Sequence, residues 1–224
     1  MKNVEKMEEL LNLEMLLNPD FILEHASIRL VPSSKRPKEG DLFKDFGPNM
    51  LLKAGLAVDV TGGVLWRAMN NEMMRCLPGE PEEKRRSFNE AAVNNLRKEA
   101  VVFPMGSDPF EMIAGINDHT QRIEFGNDCY PVIVTNRSGI YGAATVLAIA
   151  EQAAEQMGGA FYMLPSSVHE VILLPESMGI SYEEAALLVQ EVNSSEVGPE
   201  DFLSDTVYRY ENDRFFIPRH KAQA

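Results

Sequence analysis

The sequence predicts an α+β fold in which a mainly antiparallel sheet carries helices packed on one face. Apolar runs of strand length dominate the C-terminal half of the chain. Glycine, serine and proline separate neighbouring runs, as turns between strands require, and two segments with helical periodicity interrupt them. From residue 130 onward the predicted order of elements is ββαββαββ, which places the helices over the sheet.

Residues 1–50 are predicted to contribute an N-terminal helix, a short strand and a surface loop. Asn18-Pro19 ends the helical pattern, because proline cannot continue a helix. A strand-like run follows at Ile28 to Val31, and residues 32–48 are rich in proline, glycine and charge, which indicates a loop. The apolar positions with helical spacing are Val4, Met7, Leu10, Leu11 and Leu17.

The middle of the chain begins with a predicted β-hairpin. LKAGLAVDV and VLWRAM are strand-like, and the TGG between them supplies the positive φ of a tight turn. The later segment SFNEAAVNNLRKE is amphipathic and presents Phe88, Ala92 and Leu96 on one face. Ser107-Asp108-Pro109 combines a polar cap with proline, which is typical of a helix start.

The C-terminal half is predicted to continue with a second hairpin, PVIVTN and IYGAATVL, whose turn is Arg137-Ser138-Gly139. The helix AIAEQAAEQM follows and ends at Gly158-Gly159. Strands FYMLP and EVILLP come next, and then a helix with a capping box formed by Ser181 and Glu184. TVYRYEN and RFFIP are the last predicted strand pair.

The length of 224 residues suits one large domain or two small ones. We expect residues 1–50 to form an N-terminal element and residues 51–224 a single α+β domain, with a candidate sub-boundary near residue 105. A core of this size needs no metal or disulfide. Cys76 and Cys129 lie far apart without a CxxC motif, so neither a disulfide framework nor a metal site is expected, and no motif indicates a cofactor.

The charge of the chain bears on its partners. Twenty-one basic and 34 acidic residues give a net charge of −13, which repels a phosphate backbone, so we expect no nucleic-acid binding. No apolar run approaches the roughly 18–20 residues that span a bilayer. Charges interrupt the apolar N-terminal positions, unlike those of a signal peptide. We therefore expect a cytoplasmic protein that does not engage a membrane.

Chemically suggestive residues cluster in FYMLPSSVHEVILLPES, residues 161–177. A serine nucleophile needs a base, and the base needs a carboxylate to orient it. Ser166 or Ser167 with His169 supplies the first two groups, and Glu170 or Asp205 the third. If a site is present, the candidate residues are Ser166, Ser167 and His169, followed by Asn136 and Asp205.

A structural interpretation of the same cluster is simpler. Pro165-Ser166-Ser167 is typical of a turn in which serine hydroxyls bond to nearby backbone. The strained G-x-S-x-G turn of α/β-hydrolases is missing. Adjacent His169 and Glu170 in a strand point to opposite faces, so they are poorly placed to act on each other.

Three C-terminal blocks resemble a bacterial family known only as a domain of unknown function. The blocks are a "TN…GAA" segment at Thr135–Ala144, "LPSSxHEVxxxP" at Leu164–Pro175 and "VN…EVxPEDxLSDxVYRY" at Val192–Tyr210. FNEAAVNNLRKEA is similar to the family's central helix. The resemblance implies a shared fold and a bacterial cytosolic setting, and it implies no activity.

These observations favour a non-enzymatic module that binds a protein partner or another copy of itself. The alternative is a small-molecule binder or hydrolase that uses Ser166 or Ser167 with His169. That alternative requires the serine and histidine side chains to face one cleft within hydrogen-bond reach.

Overall fold

The computed structural model describes residues 13–32, 42–45, 52–63, 65–107 and 130–218. Most of the predicted N-terminal helix lies outside the described residues, as do Cys129 and all but Ser107 of the predicted helix start at 107–109. Among the described residues, no helix combines the length and apolar character that crossing a membrane requires.

The first part of the chain forms a four-stranded antiparallel sheet. This part of the chain contains the helices α1 (Leu13–Leu16) and α2 (Pro19–Glu24). The strands of the sheet are β1 (Ala26–Pro32), β2 (Phe43–Asp45), β3 (Leu52–Asp59) and β4 (Trp66–Ala68). β1 pairs with β3 from Ala26 opposite Val58 to Pro32 opposite Leu52. β2 and β4 pair with β3 at different positions along its length. The predicted hairpin of β3 and β4 is confirmed, whereas β2 falls in a stretch predicted as loop.

The described residues from Asn71 onward form a six-stranded sheet and four helices. The elements are α3 (Asn71–Cys76), α4 (Pro81–Glu99), β5 (Ala100–Pro104), β6 (Val132–Asn136), a 3-10 turn (Gly142–Thr145), α5 (Val146–Gln156), β7 (Phe161–Leu164), β8 (Val171–Pro175), a second 3-10 turn (Glu176–Met178), α6 (Tyr182–Glu196), β9 (Tyr208–Glu211) and β10 (Arg214–Phe216). The strand order is β10-β9-β7-β8-β6-β5, and every pair is antiparallel. The predicted α+β class with antiparallel pairing is confirmed.

One predicted strand is a helix. IYGAATVL, predicted as the second half of a hairpin, forms the buried 3-10 turn and the start of α5. A short apolar run has no periodicity that separates a strand from a buried helix. Here Thr145 Oγ1 donates to the carbonyls of Gly142 and Thr135, which fixes the helical turn against the end of β6. The order after residue 130 is therefore βαββαββ.

The main apolar core joins the two sheets. Phe88, Ala92 and Leu96 of α4 are buried, as the amphipathic pattern predicts, and α4 packs on β1 and α5. The core holds residues of both sheets, of α4 and of α5. Strands β1 and β2 precede residue 51 and belong to the same sheet as β3 and β4.

The structure differs from the prediction in placing helices on both faces of the six-stranded sheet. Phe161 and Met163 of β7 face the main core, whereas Tyr162 and Leu164 face a second cluster under α6. Side chains alternate between the faces of a strand, so all four β7 residues are buried. The predicted capping box of Ser181 and Glu184 begins α6.

Candidate functional site

The candidate site forms where the turn after β6 meets the β3–β4 turn. Asn136, at the end of β6, donates from Nδ2 to the carbonyls of Ile140 (2.9 Å) and Gly62 (3.1 Å). Its Oδ1 accepts from the Ile140 N–H and from Ser138 Oγ, and Ser138 Oγ also donates to the Gly62 carbonyl. One buried amide side chain therefore closes its own turn and ties that turn to the first sheet.

Two glycines permit this close approach. A Cβ at Gly63, where φ is +117°, would overlap the carbonyl oxygen of Ile140. A Cβ at Gly142 would overlap the backbone nitrogen of Asn136 and Oγ1 of Thr135. Glycine is required at both positions because the neighbouring atoms are mostly backbone, which cannot move aside as a flexible side chain can.

Tyr141 projects from this turn in an unusual conformation. Its φ of 53° and ψ of 33° place a non-glycine residue in the left-handed region, which costs of order 1–2 kcal/mol. The residue is 37% exposed. Its backbone N–H donates to Nδ1 of His169 at 3.0 Å, and the two rings lie 5.4 Å apart. The tyrosine is thus held in a strained conformation at the surface.

His169 is bonded through both ring nitrogens. Nδ1 accepts from Tyr141, and Nε2 lies 3.0 Å from Oδ1 of Asp201. A neutral imidazole has one donor and one acceptor nitrogen, so the Tyr141 N–H requires that the proton reside on Nε2, facing the carboxylate. The side chains of His169 and Asp201 are 31% and 39% exposed. Trp66, Tyr141, His169 and Asp201 are called the Tyr141 surface below.

Arg29 supports the Tyr141 surface from behind. Its guanidinium carbon lies 4.0 Å from the ring centroid of Trp66 and 4.3 Å from that of Tyr141. Nη2 pairs with Oδ2 of Asp59 at 3.0 Å, and the two side chains are only 5% and 9% exposed. Burial lowers the pKa of Arg29 to about 10, and the Asp59 carboxylate offsets part of that effect. Arg29 is charged at neutral pH and anchors both aromatic rings.

The guanidinium of Arg29 is only partly satisfied by hydrogen bonds. Its Nε and Nη1 atoms are buried and have no hydrogen-bond partner among the described residues. The faces of the two aromatic rings, which carry partial negative charge, lie beside the guanidinium and compensate it electrostatically. These contacts therefore offset part of the free-energy cost of burying the guanidinium, and they hold the two rings in place.

Glu170 adds a perturbed carboxyl beside His169. The residue is half-buried, and burial raises the pKa of its carboxyl above the ordinary 4.5, while His169 lowers it in part. Among the described residues, no group of three or more His, Cys, Asp or Glu side chains is arranged to hold a metal ion.

The serines proposed from the sequence lie in the turn between β7 and β8. Ser166 is 3% exposed, and its carbonyl accepts from the Leu203 N–H. Ser167 Oγ accepts from the backbone N–H of His169 at 3.0 Å. Within the described part of the chain, no hydrogen bond joins either serine hydroxyl to the imidazole ring.

The two remaining candidates from the sequence, Asn136 and Asp205, lie in different places. Asn136 reaches the site and organises its turn, as described above. Asp205 is exposed and accepts from Nδ2 of Asn193 at 2.7 Å, so it pairs with α6. The carboxylate on His169 is Asp201, from the same loop but four positions earlier.

Sequence reasoning missed Arg29, Trp66, Tyr141 and Asp201 as members of one site. One signal was present: a charged Arg29 inside an apolar strand is rarely buried without a partner, and Asp59 stands at the end of the strand that pairs with it. Nothing local marks Tyr141 or Asp201, because their roles depend on contacts across the fold.

The comparisons with known proteins place this chain in a family. No curated protein and no solved structure matches it significantly. The model of a family of unknown function, DUF5688, matches residues 67–212. That span includes Asn136, Tyr141, His169 and Asp201, while Arg29 and Trp66 lie before it. The match covers more than half of the 224 residues, which confirms the resemblance inferred from the sequence: the chain belongs to DUF5688, a family of unknown function.

Proposed function

We propose that this chain is a non-enzymatic binding protein whose Tyr141 surface contacts another protein, either a different chain or a second copy of itself. The observation that carries the proposal is the double hydrogen bonding of His169. Its imidazole holds the exposed Tyr141 in a strained conformation and keeps no lone pair for chemistry.

The bonding of His169 argues against a role as a general base. A base must accept a proton from a group within about 2.6–3.2 Å. In neutral His169 the only ring lone pair accepts the Tyr141 N–H, and the other nitrogen carries the proton directed at Asp201. A serine hydroxyl would have to displace one of these partners, and Ser167 is already bonded to the backbone of His169.

The composition of the Tyr141 surface suits protein binding. Aromatic residues are enriched in interfaces, where an apolar ring with a polar tip buries a large area for few rotatable bonds. Tyr141 is exposed and Trp66 is half-buried. The Asp201 carboxylate is bonded to His169, whose ring contacts the ring of Tyr141.

Fixed geometry favours affinity, because an ordered surface loses little conformational freedom on binding. Tyr141 is held by its hydrogen bond to His169 and by Arg29 behind its ring. The net charge of −13 also accelerates association with a partner of complementary basic charge. Among partners other than a second copy, the one supported best is therefore a protein with a basic contact region.

Site-specific photo-crosslinking tests the proposal. A benzophenone amino acid is introduced at Tyr141 and, as a matched control, at Leu187, which is 67% exposed on α6. Crosslinking of the purified protein reports a second copy, and crosslinking in the producing cell reports a different partner. The proposal expects one defined product from position 141 and none from position 187, lost when unlabelled protein competes.

Equal products from both positions, or none from position 141 in either setting, would reject the proposal. Sedimentation velocity over a concentration series of the wild type and Tyr141→Ser adds an independent reading. A dimer that weakens in Tyr141→Ser but persists in Leu187→Ser assigns self-association to the Tyr141 surface.

A second candidate function, a small-molecule binder or hydrolase that uses Ser166, Ser167 and His169, is favoured by one observation. The Glu170 carboxyl has a raised pKa next to His169, and such groups concentrate at functional sites. A fluorophosphonate probe for activated serines tests it. Labelling that disappears in Ser167→Ala or Ser166→Ala would restore the hydrolase, and absence of labelling in the wild type would count against it.

A further inference from the structure

We propose that His169 is a pH-dependent latch: protonation of its imidazole releases the Tyr141 backbone and so switches the Tyr141 surface. The biological meaning of the latch rests on the proposed binding function, whereas the latch itself is a property of the fold. The inference depends on one geometric fact, that a backbone N–H donates to a titratable nitrogen.

The latch follows from the donor count of imidazole. Neutral His169 accepts at Nδ1 and donates at Nε2. Imidazolium donates at both nitrogens. After protonation, an N–H on Nδ1 would face the N–H of Tyr141 across 3.0 Å, and two donors cannot form a hydrogen bond. Either the ring or the Tyr141 turn must move.

The pairing with Asp201 decides which part moves. The imidazolium gains a charge-assisted bond to the Asp201 carboxylate at Nε2, so the ring is held from that side more firmly than before. The turn at Tyr141 is held less firmly than the ring of His169, because the left-handed φ of 53° at Tyr141 is unfavourable for a non-glycine residue. The turn at Tyr141 is therefore the part that opens.

Charged and titratable groups face His169 from several elements. Asp201, from the loop after α6, bonds Nε2. Glu170, next along the chain, interacts electrostatically with the imidazole, and burial raises the pKa of its carboxyl. The Tyr141 ring contacts both His169 and Arg29, and the charge of Arg29 is paired with Asp59. The Asp201 carboxylate thus stabilises the imidazolium. The charge of Arg29 is compensated by Asp59.

Imidazole is the side chain whose charge ordinarily changes between about pH 5 and 8, so a pH series over that range tests the latch. While the imidazole of His169 is neutral, its hydrogen bond fixes the Tyr141 surface. Once the imidazole is protonated, the turn is released and the fixed geometry on which binding depends is lost.

Nuclear magnetic resonance of the ¹⁵N-labelled full chain tests the latch without any partner. The ring nitrogens of His169 report its protonation and tautomer, and the amide of Tyr141 reports the hydrogen bond. The proposal expects an Nε2–H tautomer at pH 8. It also expects the exchange protection of the Tyr141 amide to fall about tenfold as the ring titrates, since one hydrogen bond is lost.

Three variants make the test specific. His169→Gln removes the titration, so the amide of Tyr141 should lose its pH-dependent transition. His25→Gln changes a histidine that contacts Phe21 elsewhere in the fold and should leave the transition intact. Asp201→Asn keeps the ring and removes the charge that favours imidazolium, so the transition should move to lower pH.

A His169 ring that titrates while the protection of the Tyr141 amide stays constant would overturn the latch, and so would a ring that does not titrate between pH 5 and 8. A transition that is unmoved in Asp201→Asn would also overturn it. These readouts are independent of the crosslinking experiment. A latch without crosslinking would reject only the binding function, and crosslinking without a latch would reject only the regulation.

Discussion

The backbone N–H of Tyr141 donates a 3.0 Å hydrogen bond to Nδ1 of His169, and the rings of these two residues lie 5.4 Å apart. This pair joins the turn after β6 to the turn between β7 and β8. It places an exposed aromatic side chain and a titratable group in one surface, so the stability of the turn and the state of the surface are coupled.

Replacing His169 with alanine should lower the free energy of unfolding by about 1–3 kcal/mol, because two hydrogen bonds and a ring contact are lost. Urea denaturation measures the change. His25→Ala is the control, since its main loss is the contact with Phe21, and it should cost about 1 kcal/mol or less. An assayed turnover lost in His169→Ala without a change in stability would contradict the non-enzymatic proposal.

Gly142→Ala should be strongly destabilising, by about 2–3 kcal/mol or more. The added Cβ would overlap Asn136 N and Thr135 Oγ1 and lie 2.8 Å from the His169 carbonyl oxygen, which forces the backbone apart. Gly158→Ala is the matched control. Gly158 has a φ of +79° but open space around it, so its cost is limited to about 1 kcal/mol of backbone strain. Comparable losses in thermal denaturation would contradict the crowding argument.

Much of the second sheet could be predicted from local patterns. The apolar runs of β7 and β8, the capping box of α6 and the amphipathic face of α4 each depend on residues close in sequence, and each is confirmed. IYGAATVL was not predictable in the same way. Small and apolar residues fit either a strand or a buried helix, and the contacts of Thr145 with Thr135 and Gly142 decide between them.

The candidate site was predictable only in part, for the same physical reason. His169 and Asn136 could be named from the sequence because imidazole and amide groups next to turns are conspicuous. The partners of His169 could not, because Tyr141 is 28 positions away and Asp201 is 32 positions away. Asp205 and Asp201 are equivalent as residue types in one loop, and only the fold determines which of them reaches the imidazole.

Arg29→Ala should cost about 3–5 kcal/mol, because it leaves the Asp59 carboxylate without its buried partner. Asp59→Asn should cost less, since its side chain can still accept from the N–H groups of Thr61 and Gly63. A double-mutant cycle of Arg29→Met and Asp59→Asn should give a coupling energy of about 1–3 kcal/mol. Strict additivity in urea denaturation would mean that the ion pair does not contribute.

The Glu176–Arg209 pair predicts a pH dependence of stability. Arg209 donates to both carboxylate oxygens of Glu176, at 2.6 and 2.9 Å, and these bonds lower the pKa of the carboxyl below its ordinary 4.5. The folded state thus holds this proton more weakly than the unfolded state. The stabilisation is complete above pH 4.5 and is lost as the pH falls through the lower folded-state pKa.

Glu176→Gln should therefore be less stable than the wild type by about 1 kcal/mol at pH 7, a modest value because both side chains are partly exposed. The difference should shrink towards zero under acid conditions. Urea denaturation at several pH values measures it, with exposed Glu155→Gln as the control. A difference between Glu176→Gln and the wild type that is constant with pH would contradict the assignment.

Tyr141→Gly should separate stability from binding. The substitution relieves the strain of a left-handed tyrosine, a gain of about 1–2 kcal/mol, and it loses the ring contacts with Arg29 and His169, a loss of similar size. The free energy of unfolding should therefore change by less than about 1 kcal/mol, while association is abolished, whether it is binding to the crosslinked partner or self-association measured by sedimentation. If the ring contacts stabilised the fold by more than the strain costs, the substitution would instead lower the free energy of unfolding clearly. A large destabilisation in Tyr141→Gly together with unchanged association would mean that the strained tyrosine serves the fold alone.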